Sequence, residues 1–157
     1  MQGKYFSFGA TSAVITGLAV IIGLSRTANP VIGITTALVV IAIADNISDS
    51  FGIHIHQESQ RESVKEVRKT TFTNFVTRVA VVSVFVLLVI LLPLKAAVAL
   101  SMFFGIAVIS IISYFIAKEQ KAKPHSIVFQ HLLITALVII GSYMLREASA
   151  GLIAKFS

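Results

Sequence analysis

The sequence predicts an all-α integral membrane protein, a single bundle of five transmembrane helices, and three observations lead there. Of 157 residues, 56% are hydrophobic and only 13% charged, against about half apolar and a quarter charged in soluble domains. The mean hydropathy is +0.90. Uncharged intervals then recur along the chain, Tyr5 to Ser25, Thr27 to Ala44, Val79 to Leu94, Ala96 to Ala117 and Pro124 to Leu145. A helix crossing a hydrocarbon core of roughly 30 Å needs about 17 to 25 residues, and each interval supplies that length once flanking residues are added.

The first span covers about 8–24. Its apolar run is long, and no small-x-small cleavage site borders a polar mature start, so it reads as a span rather than a signal peptide. "RTANP", Arg26 to Pro30, is a tight connection, since proline after asparagine favours a turn and then a helix start. The second span covers 31–52, and 53–74 reads as a cytoplasmic loop into which that helix extends. The third span, 75–94, closes on "LLPLK", where proline stops the hydrogen-bond ladder and lysine marks the interface. The fourth covers 96–117, and the polar "KEQKAKPH" separates it from the fifth, 127–145. Connections this short leave residues 1–157 as one membrane domain.

Lysine and arginine set the expected orientation. One side carries Lys4, Arg61, Lys65, Arg68, Lys69, Arg78, Lys118, Lys121 and Lys123, and the other Arg26, Lys95, Arg146 and Lys155. Nine against four puts the N-terminus in the cytoplasm and the C-terminus outside. Basic loops of this kind explain the pI of 9.9 through topology and contact with anionic lipid; no nucleic-acid motif accompanies them. The absence of cysteine excludes disulfides and thiolate metal sites.

The informative stretch is "ADNISDSFGIHIHQES", Ala44 to Ser59. On a helix Asp45, Asp49, Gly52 and His56 fall on one face, which Asn46, Ser48 and Ser50 widen. An aspartate in mid-membrane costs roughly 2.5–3.5 kcal/mol on insertion scales and usually faces a bundle interior or a wet cavity. Two of them a turn apart repel unless a proton or cation intervenes. The bland alternative puts both at headgroup level, but 18 residue steps from Arg26 to Ala44 rise only about 27 Å, so they fall near the edge of the core. Paired carboxylates beside histidine offer the oxygen and imidazole ligands that manganese, iron and zinc accept.

Beyond them His54, Glu58, Glu62 and Glu66 repeat at i+4, beside a row of Arg61, Lys65 and Lys69. This reads either as a solvated, salt-bridged helix extension or as a low-affinity funnel in which His54, Glu58 and Glu62 pass cations toward Asp49. On the first span Gly9, Ala13 and Gly17 form a small-residue face suited to close packing, and Ser12 and Thr16 beside it are oxygens along a pathway. His131 in the fifth span reads as an interfacial side chain, with a proton relay as the alternative. Nucleophile elbow, phosphate-binding loop, His-Glu-x-x-His and dinucleotide fingerprint are all missing, so no enzyme is expected.

At Ala44, Asp45, Ser48 and Gly52 of "ADNISDSFGIH", and in the glycine-bearing first span "FGATSAVITGLAVIIGL", the chain resembles the vacuolar iron transporter family. "LLPL" and "GSYMLREASAGLI" resemble that family's later spans. The resemblance implies a five-span homodimer that exports ferrous iron or manganese from the cytosol in exchange for protons, with the metal as cargo and no permanently bound cofactor. It also implies a pathway near the first helices, where the face of Gly9, Ala13 and Gly17 fits close dimer contact. Three departures stand out: Ser12 replaces the family's first-helix aspartate, His54 the glutamate of its Gly-Glu, and Asp49 its second-helix methionine, the last trading a soft thioether for a hard oxygen and favouring manganese or even magnesium. The acidic domain found in plant and yeast members is reduced to about twenty residues between spans two and three. The expected site is therefore Asp45, Asp49, His54, Glu58 and Glu62, with Ser12, Thr16, Asn46 and Ser48 along the path, in a cell membrane. The alternative is a membrane scaffold or partner subunit that keeps the fold without transporting.

Overall fold

The computed structural model describes the backbone of residues 2–153 and the side chains of residues 7–149. It is all-helical and holds five helices long and apolar enough to cross a membrane. Helix α1 is Gln2–Leu24, and α2, Pro30–Val40, runs through a π-helical turn, Ile41–Asp45, into α3, Asn46–Ser59. Helices α4, Val64–Leu91, α5, Leu94–Glu119, and α6, Pro124–Ile153, complete the bundle. Lys155 lies outside the described residues.

Proline and serine mark the breaks. Pro30 sits in the first turn of α2 and Pro93 immediately precedes α5, positions where the missing N–H costs nothing. Ser63 caps α4 by accepting from Glu66 N at 3.4 Å. Two sharp reversals use left-handed residues, Arg61 at φ 56° and Lys121 at φ 52°.

Within 53–74, read as a cytoplasmic loop into which the second helix extends, the helix does run on, but only to Ser59, and α4 begins at Val64, well before the expected start of the third span at 75. The continuous row through Glu58, Glu62 and Glu66 breaks there. Arg61 reverses the chain, leaving Glu62 in the turn and Glu66 in the first turn of α4.

Helix α1 forms the centre. Ala13, Val14, Leu18 and Ile21 are buried against Ile34 and Leu38 of α2, Val82, Phe85 and Val89 of α4, and Ala97 and Ile109 of α5. Phe85 meets Phe104 edge to face, centroids 5.4 Å apart. Helices α2, α4, α5 and α6 all pack on α1, and the ring they form is open between α2 and α6. The face of Gly9, Ala13 and Gly17, read as a dimer contact, is covered by α4 of the same chain. A Cβ on Gly17 would stand 2.6 Å from the Phe85 ring.

Polarity is inverted relative to a soluble bundle. Large apolar side chains such as Ile32, Phe103, Leu91 and Leu145 point outward, while Asn46, Gln57, Asn74, Arg78, Ser101 and Ser113 lie inside.

Candidate functional site

Arg78 organises the polar interior. It sits on α4, 1% exposed, with its guanidinium at the junction of three helices. Nη2 donates to Asp45 Oδ2 and Nη1 to Asp49 Oδ2, and Nη1 also donates to Ser12 Oγ of α1 at 2.7 Å. A rigid planar fork can serve two carboxylates at once, which an ammonium cannot. Charges −1, +1 and −1 leave the cluster at −1. Both aspartates keep an oxygen that Arg78 does not engage, and their side chains remain 45% and 33% exposed.

Local backbone geometry aims these groups. The π-turn Ile41–Asp45 ends at Asp45 itself, and such a turn carries one residue more than an α-turn, re-aiming the residues on either side of it. Asp49 follows four residues later and so returns to the same side. Across the gap, Gly9 lets α1 come close to α4: a Cβ there would lie 2.7 Å from Asn74 Oδ1 and 3.4 Å from Arg78 Cγ.

A polar ladder below the cluster zips α3 to α4. Asn46, fully buried, donates to the Phe75 carbonyl at 3.0 Å. Asn74 donates to Ser50 Oγ at 3.2 Å, while its own Oδ1 is buried without a partner among the described residues. Further along, Thr70 donates to Gln57 Oε1, and Gln57 Nε2 donates to Glu62 at 2.8 Å.

Of the residues singled out in the sequence, Asp45, Asp49 and Ser12 thus meet at one point. Asn46 belongs to the helix–helix ladder. Ser48 is exposed, about 100° around the helix from Asp49. Thr16 lines a groove of about 560 Å³ between α1 and α6, together with Ala19, Gly23 and Arg146. His54 Nε2 lies 3.4 Å from the exposed Glu58 carboxylate and borders a separate cavity of about 310 Å³ with Ser50 and Phe51. Glu62 serves the α3–α4 turn through Gln57. Among the described residues no three histidine, aspartate and glutamate side chains converge.

Arg78 is the residue that sequence reasoning placed wrongly, as a cation at the mouth of the third span. The signal was present: Thr70, Asn74 and Arg78 recur at i+4 and make a polar stripe on α4 matching that of Asn46, Ser50 and Gln57 on α3.

At the opposite end Arg146 stitches α6 to α1. It donates to Ser25 Oγ at 3.2 Å and to the Ile22 carbonyl at 3.4 Å, near the C-terminal end of α1, where a cation is favoured. Its guanidinium also pairs with Glu147 at 2.6 Å and lies over the Tyr143 ring. No protein-family model, curated protein or solved structure matches this chain.

Proposed function

We propose that the protein is an integral membrane transporter of divalent cations of the iron and manganese class, moving them out of the cytosol in exchange for protons. One observation carries this: two carboxylates, one turn apart on an apolar helix, converge on a single buried cation while each keeps an oxygen free. Carboxylate oxygens are the ligands hard divalent ions take, and the same groups can carry protons on the return. His54 and Glu58, further along α3, provide the cytoplasmic approach.

Supporting the membrane setting are the outward apolar and inward polar side chains. With Arg78 inside, eight basic residues against four still favour a cytoplasmic N-terminus, in a cell membrane. A homodimer fits the open side of the ring around α1.

The test is Mn²⁺ uptake into proteoliposomes under a pH gradient, comparing the wild type with Asp49→Asn. Saturable flux that falls at least about tenfold in the variant is expected; equal flux in both ends the assignment. A second reading, a scaffold that keeps the fold without transporting, is favoured by the way Arg78 already fills the space between the carboxylates. Thermal unfolding separates the two, since Mn²⁺ raises the Tm of a transporter and leaves that of a scaffold unchanged.

A further inference from the structure

We infer that Arg78 is the resident counter-cation of this site and competes with the divalent ion for it, an inference that rests on the cation-site reading above. Charge decides the matter. With Arg78 in place, a divalent ion on Asp45 and Asp49 would leave the cluster at +1 in a low-dielectric setting, with two cations a few ångströms apart; with Arg78 withdrawn, ion and carboxylates cancel. Binding of ion and of guanidinium to the carboxylates therefore excludes each other.

The structure supplies a place for the arginine to go. Asn74 stands one turn before Arg78 on α4, is fully buried, and leaves Oδ1 without a partner among the described residues. That oxygen and the Arg78 stem lie over the same glycine, Gly9. Ser12 Oγ, already bonded to Nη1, keeps one donor engaged. Arg78 thus alternates between the two aspartates when the site is empty and the Asn74 amide oxygen when the site is loaded. A cation tethered inside the site weakens cargo binding and speeds release.

The experiment is equilibrium Mn²⁺ binding to the full chain in nanodiscs, read from the loss of the free-ion electron paramagnetic resonance signal. Arg78→Gln should bind about tenfold or more tightly than the wild type. Arg78→Lys should fall between, because one ammonium cannot hold both carboxylates, and Asn74→Leu should bind several-fold more weakly. Binding no tighter in Arg78→Gln overturns the inference, since Arg78 would then be arranging the carboxylates for the metal. If that variant does not fold, Arg78→Lys decides: affinity equal to the wild type overturns it. Unchanged affinity in Asn74→Leu removes the second resting place. Wild-type flux that depends on Asp49, with no gain in Arg78→Gln, rejects this inference alone. Tight binding by Arg78→Gln without any wild-type flux leaves Arg78 as counter-cation and rejects transport.

Discussion

At the residue scale the fold depends on keeping Arg78 paired. Removing one partner of a buried ion pair strands the others, at a cost of about 3–5 kcal/mol, and the partial exposure of Asp45 and Asp49 puts this site near the lower bound. Arg78→Leu should therefore lower stability by about 3 kcal/mol without metal, and adding Asp45→Asn and Asp49→Asn to it should restore most of the loss; reversible unfolding in mixed micelles measures both. A second residue-scale statement concerns His131. Ser113 Oγ stands 2.6 Å from the Ile109 carbonyl, so its single proton lies in that bond, and His131 Nδ1, 2.7 Å away, must be the donor to Oγ. Of the two ring nitrogens, Nδ1 is then the one that carries a proton toward Ser113. Nitrogen chemical shifts from ¹⁵N-histidine-labelled protein should show that proton; a protonated Nε2 with bare Nδ1 would contradict it.

At the element scale the instructive piece is the rod from Pro30 to Ser59. A regular α-helix was legible there from length and hydropathy, and Asp45 and Asp49 were legible as one face from their spacing. The π-turn was not, because nothing in "IAIAD" departs from ordinary helix composition; the structure shows the turn packed against α4. Deleting Ile43 should convert the turn to α-helix and keep the flanking register, because about four α-helical steps turn the chain as far as five π-helical ones. Helix content by circular dichroism and the stability of the Asp45–Arg78 pairing should stay near wild type, whereas inserting one alanine after Ile43 should turn Asp45 away from Arg78 and lower stability. The end of α3 had readable signs that periodicity overrode. Ser63 and Glu66 form the Ser-x-x-Glu signature of a helix start, and it contradicts a helix running through Glu62. Arg61 in the left-handed region gave no such warning, since arginine seldom sits there.

At the scale of the whole molecule, five long apolar helices were legible because each is bounded by charge or proline. Which helix occupies the centre was not. Small residues on α1 fitted close contact with another helix or with a second copy, and α4 of the same chain covers them. The uncovered side of α1, with Thr16, Ala19 and Gly23 in its groove against α6, is where the proposed homodimer would close. The chain has no cysteine, so Ala19→Cys is a clean probe. Disulfide-linked dimers in lipid are expected, with none from a cysteine at the outward Phe103; the reverse pattern would move the dimer elsewhere.

The same three-helix junction also constrains the order of synthesis. Asp45 leaves the ribosome 33 residues ahead of Arg78, so a second helix entering a bilayer alone would bring two carboxylates with no guanidinium to meet. Stranded alone they would cost roughly 2.5–3.5 kcal/mol apiece. The abrupt reversal at Arg61, and the side-chain ladder that zips α3 to α4 from Gln57 up to Asn46, would let the two helices enter a bilayer as a hairpin with Arg78 already paired. Helix α1, made first and charge-free from residue 7 to residue 25, would then be the surface on which that hairpin docks.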